Sequence, residues 1–207
     1  AYDISTCVFE SAQDFTGEDS RERRSLAFSK DGMTFFIFNQ GGSLLPRNYH
    51  SIKQYSLSSP FDLTNITLVT EYLGPGGQRS LNTQVGSFAQ GLQFNPDGTK
   101  MYITESQGEN IGEFTLSSPF DLTGNVTFEG VYSASDEITD LAAINFNDDG
   151  MKMYLMDWKS GDGRGVHEYS LTCSYGVIKC LDPSTNKDDV ATMPVSYTHL
   201  RAHETSL

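Results

Sequence analysis

The side chains that could do chemistry are few, and most fall in stretches that read as loops. Acids dominate: 27 Asp+Glu stand against 14 Lys+Arg, for a formal charge of −13. There are four histidines: His50, His167, His199 and His203. His199 and His203 stand at i, i+4, the spacing by which one helix face offers two imidazoles to zinc. The zinc-protease pattern also needs Glu beside the first His, and Leu200 is there instead. No Gly-x-Ser-x-Gly elbow offers a serine nucleophile. The glycine-rich GPGGQRS (74–80) lacks the Gly-Lys-Ser/Thr ending of a phosphate loop and reads as a flexible connection. Cys173 and Cys180, separated by six residues, suit a disulfide or two buried thiols, and no second Cys/His pair completes a zinc site.

The elements that would position such groups are set by internal repetition. LAFSKDGMTFFI (26–37), LQFNPDGTKMYI (92–103) and INFNDDGMKMYL (144–155) share one plan: an apolar strand, an Asp-Gly pair, a second apolar strand. Asp-Gly supplies the positive φ that a tight turn demands, which predicts three β-hairpins. Phe35, Met101 and Met153 project to one face and Phe36, Tyr102 and Tyr154 to the other, so these strands are apolar on both sides and pack between sheets. A third strand follows in each unit, SIKQYSL (51–57), NIGEFTL (110–116) and GVHEYSL (165–171). The turn SSPFDLT then occurs at 58–64 and again at 117–123, and fourth strands follow at 66–73 and 126–132. The opening AYDISTCVFE matches the end of this unit and reads as a trailing strand, with Asp3, Asp62 and Asp121 at intervals of 59 residues.

Four antiparallel strands in about 50–60 residues is the size of a propeller blade. The hairpin motif, seen in FNPDGTKMYI, resembles the Phe-x-Pro-Asp-Gly repeats of WD40-like and YVTN-type β-propellers. With QYSLSSPFDLT and EFTLSSPFDLT, it looks most like repeats in proteins of marine bacteria and their phages. The resemblance covers about residues 1–172 and implies an all-β fold of about three four-stranded blades, an open arc of a ring of about six to eight. It implies no particular function, since propellers bind, scaffold and catalyse. Residues 173–193 read as an exit segment and linker. Residues 194–207 read as an artefact, because VSYTHLRAHET (195–205) matches a translated transposase-type sequencing adapter. Both ends therefore read as cut, with further blades and a C-terminal region expected in the parent protein.

Charge narrows the partners. An acidic chain is a poor match for nucleic acid or anionic lipid, and no run approaches the about 20 apolar residues of a membrane span. Within the repeat plan the Asp-Gly and SSPFDLT turns share one end of the blades. The longer, variable loops share the other, where binding residues are expected. Asn39, Glu105 and Asp157 occupy equivalent ends of second strands, able to accept hydrogen bonds or touch a cation. Arg24, Gln90 and Asp140 stand near the starts of the innermost strands. Trp158 offers an indole to a sugar or another planar ligand. Calcium at Asp157 and Asp162 is conceivable, although DWKSGDG lacks the EF-hand ligand order, and otherwise no cofactor is expected.

The expected function is a non-enzymatic binding or scaffold module for a protein or glycan, on a cell surface, in the periplasm or on a virion. A propeller hydrolase or lactonase with a metal at the channel mouth is the enzymatic alternative. A structural spacer in an adhesin or tail protein is the third.

Overall fold

The computed structural model describes residues 12–13, 15, 22–41, 49–77, 80–158 and 165–178. The expected trailing strand at 1–10, the linker after 178 and the tail with His199 and His203 lie outside them. The described residues form three antiparallel sheets. The first orders β1 (Glu22–Phe28), β2 (Thr34–Gln40), β3 (Ser51–Leu57) and β4 (Ile66–Tyr72) side by side. The second repeats this with β5 (Ala89–Phe94), β6 (Lys100–Glu105), β7 (Asn110–Leu116) and β8 (Val126–Ser133). The third holds β9 (Leu141–Phe146), β10 (Lys152–Asp157) and β11 (Gly165–Ser170), with no fourth strand among the described residues.

Each hairpin is closed by its Asp-Gly pair, through a division of labour. Only the glycine adopts positive φ, at 71° for Gly32, 73° for Gly98 and 68° for Gly150. The aspartate instead accepts a backbone hydrogen bond two residues on, from Met33 (3.0 Å), Thr99 (2.9 Å) and Met151 (2.8 Å). The hairpin glycine carbonyl then receives the N–H of an aromatic residue in the next turn. Phe61 donates to Gly32 at 2.8 Å, Phe120 to Gly98 at 2.9 Å and Tyr175 to Gly150 at 2.8 Å. All three aromatics sit at positive φ, between 53° and 60°, a conformation that costs a bulky residue about 1–3 kcal/mol. Each ring covers its glycine so closely that a Cβ on Gly98 would stand 2.1 Å from the Phe120 ring.

At this turn the third unit departs from the repeat in sequence but not in backbone: TCSY replaces SSPF, yet Tyr175 takes the positive φ and the glycine contact of Phe61 and Phe120.

Neighbouring sheets touch mainly through their first two strands, with β1 beside β5 and β5 beside β9, so they fan out from a common axis as blades do. One buried cluster joins Phe36, Phe38 and Ile52 of the first sheet to Leu92, Phe94, Met101 and Phe114 of the second. Another joins Tyr102 and Ile111 of the second to Ile144, Met153, Leu155 and Tyr169 of the third. The fold is an open propeller arc. After the GPGGQRS stretch (74–80), read from sequence as a flexible connection, the chain enters a short helix, α1 (Ser80–Val85), whose Leu81 and Val85 are buried in the first of these clusters.

Candidate functional site

Asn39, Glu105 and Asp157 are structurally equivalent: each sits at the end of a second strand, opposite Arg23, Ala89 and Leu141 of the neighbouring first strand. All three are buried, and each makes hydrogen bonds within the protein. Glu105 Oε1 accepts from the backbone N–H of Phe88 (3.1 Å) and Gln107 (3.1 Å). Its Oε2 accepts from the N–H of Gly108 (2.8 Å) and from Asn110 Nδ2 (3.4 Å). Gly86, at φ 130°, lies against this carboxylate, where a Cβ would come within 2.6 Å of Glu105 Cδ. Asp157 Oδ2 accepts from the Thr139 N–H (3.0 Å) and hydroxyl (3.2 Å), and Asn39 Nδ2 donates to Ser51 Oγ (3.4 Å). Glu105 thus ties the incoming and outgoing backbone of its rim together, Asp157 holds the incoming side at Thr139, and Asn39 bonds a side chain of β3.

His50, which the sequence places in a loop, is fully buried. Its backbone N–H donates to Asn82 Oδ1 on α1 at 2.8 Å. Nδ1 accepts from the Gly41 N–H at 3.3 Å, so the proton resides on Nε2, which donates to the Gly86 carbonyl at 2.9 Å. Burial pushes the imidazole pKa below its ordinary 6.5, against the opposing pull of the Gly86 carbonyl and the Glu105 charge. This neutral histidine pins the first blade's rim to the connection leading to the second.

The first strands carry a β-bulge near the rim at one common position. The bulge falls on Arg24 in β1, on Gln90 in β5 and on Ala142 in β9. Ala142 is thus the counterpart of Arg24 and Gln90, and Asp140, which precedes β9, aligns with Glu22 and Phe88. Arg24 Nε donates to Gln40 Oε1 at 2.6 Å and its guanidinium pairs with Glu22. Gln90 Nε2 donates to Ser106 Oγ at 3.2 Å, and the Asp140 carbonyl accepts from the Trp158 N–H at 3.2 Å. Trp158 itself is 64% exposed.

Asp162 lies outside the described residues, among which no three His, Cys, Asp or Glu side chains gather as a metal site would require. Cys173 is held in a disulfide; Cys7 and Cys180, the other two cysteines, lie outside the described residues, and pairing with Cys180 stays a proposal.

A groove of about 420 Å³ opens at the other end of the blades, beside the Asp-Gly turns. Ala27, Gln93 and Asn145 of the three first strands line it, with Phe94, Phe146 and Tyr175. Its amides are partly engaged: Gln93 Nε2 donates to the Phe94 carbonyl (3.2 Å) and Asn145 Oδ1 accepts from the Phe146 N–H (2.8 Å).

Sequence reasoning passed over the groups that lock blade to blade. Gln54, Glu113 and Glu168 form one column, opposite Phe36, Tyr102 and Tyr154. Gln54 Oε1 accepts from the Leu122 N–H in the second sheet's turn, at 2.7 Å. Glu113, with no exposed surface, takes Lys100 Nζ on Oε1 (2.7 Å) and the Ile178 N–H on Oε2 (2.7 Å). The Tyr175 carbonyl accepts from both Lys100 Nζ (2.8 Å) and Tyr102 Oη (2.5 Å). Burial and the Glu113 charge push the Tyr102 pKa far up, keeping its phenol a donor. An acid recurring on a strand face that is otherwise buried was the available signal, because carboxylates are rarely buried without a partner.

No protein-family model matches the chain, and no curated protein matches it. Several solved structures resemble it at low identity. A "putative 6-phosphogluconolactonase" of Bacteroides uniformis is 16% identical, with a TM-score of 0.49 over 75% of this chain and 39% of its own. A protein of unknown function from Desulfotomaculum acetoxidans is 17% identical, with a TM-score of 0.49 over 83% of this chain and 46% of its own. The β-propeller domain of Cps50 (Swd1) from Myceliophteria thermophila is 7% identical, with a TM-score of 0.46 over 72% of this chain and 40% of its own. This chain spans less than half the length of each.

Proposed function

We propose that these blades belong to a non-enzymatic propeller that binds a protein or glycan on the rim where its variable loops gather, in a surface, periplasmic or virion setting. The supporting observation is the contrast at one rim position. Asn39, Glu105 and Asp157 occupy one buried position, where Glu105 and Asp157 accept from backbone N–H groups and Asn39 donates to Ser51 Oγ, and the residue after each differs: Gln40, Ser106, then Trp158. Gln40 and Ser106 are engaged by neighbouring side chains, whereas the Trp158 indole stands in solvent on an anchored backbone. A rigid aromatic at a rim is a low-entropy contact for a sugar ring or a protein side chain.

The test is a glycan and peptide array probed with the whole chain beside Trp158→Ala. A ligand captured by the parent and lost in the variant, with unchanged thermal unfolding, supports the reading. Ligand capture indifferent to Trp158 removes it. Hydrolysis of a lactone that needs a divalent cation and disappears in Glu105→Gln would replace it with the metal-hydrolase alternative.

A further inference from the structure

The outward faces of the three sheets can be compared position by position. Ile52, Ile111 and Val166 are equivalent; the first two are 0% exposed and Val166 is 63% exposed. Phe38, Thr104 and Met156 form the next column, buried in the first two sheets and 44% exposed at Met156. In the first and second sheets these positions are covered by the following blade. In the third they are open.

The open face also repeats the polar groups of the occupied one. Lys152, Tyr154 and Glu168 stand where Lys100, Tyr102 and Glu113 stand in the second sheet, with the same cross-strand pairing of tyrosine to glutamate. Lys152 pairs with Glu168 as Lys100 does with Glu113. In the second sheet this trio grips main-chain atoms of the next blade's turn: the Tyr175 carbonyl and the Ile178 N–H. In the third sheet, Tyr154 Oη and Glu168 Oε2 make no hydrogen bond among the described residues.

We propose that the outer face of the third sheet is a docking face for a further β-blade, gripped by Lys152, Tyr154 and Glu168 through main-chain atoms of that blade's third-to-fourth-strand turn. The interface one blade earlier says what the occupant must carry. Its turn has an aromatic residue at positive φ, whose carbonyl accepts from the lysine and the tyrosine. An N–H three residues later in that turn donates to the glutamate. Its first strand also presents an aromatic ring, since Tyr102 packs on Phe146 at 4.7 Å between ring centroids and Tyr154 occupies the matching position. Met156 and Val166 then become buried, as Thr104 and Ile111 are.

The test supplies such a blade. Residues 134–178 are duplicated in tandem after Ile178, with the remainder of the chain in place and serine at all native cysteine positions. Val166→Cys in the first copy then reports burial by its rate of labelling with a thiol reagent. Docking is expected to slow labelling at least tenfold relative to the unduplicated chain. Tyr154→Phe with Glu168→Gln in the first copy should restore most of the rate, and the same pair in the second copy should not. If the duplicate fails to fold, residues 74–133 inserted at the same place make the same test. Unprotected Val166 in both insertions overturns the proposal. So does protection indifferent to the first-copy substitutions, or an unduplicated chain that already protects Val166 by self-association.

Discussion

Between the first and second sheets the contact is carried by rings and aliphatic chains. Phe36 lies 4.6 Å from Phe94, Phe38 and Ile52 fill the space beside them, and one amide, Gln54, reaches the Leu122 N–H. Between the second and third sheets the same positions hold Tyr102 on Phe146, and the amide gives way to a lysine–glutamate pair that makes two hydrogen bonds into the facing turn, with a third from Tyr102. Both seams address the same stretch of the neighbour's backbone. The comparison teaches that seam geometry is set by the turn, and that the chemistry gripping it can be neutral or charged.

The largest effect is expected from Glu113→Ala. It leaves Lys100 and the Ile178 N–H without their acceptor in a buried seam, and breaking such a pair costs about 3–5 kcal/mol. Urea unfolding should show this loss, while Glu168→Ala, which removes the same pair from an open face, leaves the midpoint unchanged. Equal losses from the two would erase the distinction between an occupied and an open seam.

Gly98→Ala should cost about 2 kcal/mol or more, because alanine at φ 73° is strained and its methyl would meet the Phe120 ring. Gly150→Ala should match it, if the third turn is the structural equal of the second. A neutral Gly150→Ala would show that TCSY only approximates SSPF.

Gln54→Ala should cost about 1–2 kcal/mol, the price of one buried N–H left without a partner. Gln54→Glu sharpens the comparison: Thr34 stands where the second sheet has Lys100, so a carboxylate there lacks its cation and should be less stable than glutamine.

The smallest effect belongs to His50. Its folded-state pKa is lowered by burial, so the unfolded chain takes up the proton first and stability falls as pH drops below 6.5. The loss continues until the lowered folded-state value is passed. Unfolding midpoints followed from about pH 7 to about pH 5 should decline, and His50→Gln should flatten that slope. A slope unchanged in the variant would place the titration elsewhere.

The hairpins and the first two aromatic turns were legible in the sequence because their chemistry is local: Asp-Gly and SSPFDLT specify backbone angles within a few residues. The third turn was not, since proline and aspartate are absent from TCSYGV and what defines it is an aromatic at positive φ bonded to a distant glycine. The bulge common to the three first strands was not readable, since no fixed residue type marks it at Arg24, Gln90 and Ala142. The rim anchors were correctly aligned at Asn39, Glu105 and Asp157. The engagement of Glu105 and Asp157 with backbone N–H groups was unreadable, because those donors belong to connections whose path depends on tertiary packing.

Beside the ring contacts, the polar groups of the Gln54 and Glu113 column and their neighbours Lys100 and Tyr102 reach main-chain atoms of the facing turn: the Tyr175 carbonyl and the N–H groups of Leu122 and Ile178. Every residue type except proline offers the same donor, and every residue offers the same acceptor. A receiving turn can therefore change its side chains without a compensating change in its neighbour, as the passage from SSPF to TCSY illustrates. The polar half of such a seam needs no matched pair of residues, which leaves the ring contacts, Phe36 on Phe94 and Tyr102 on Phe146, as the half that side-chain identity must preserve when blades are copied or exchanged within an array.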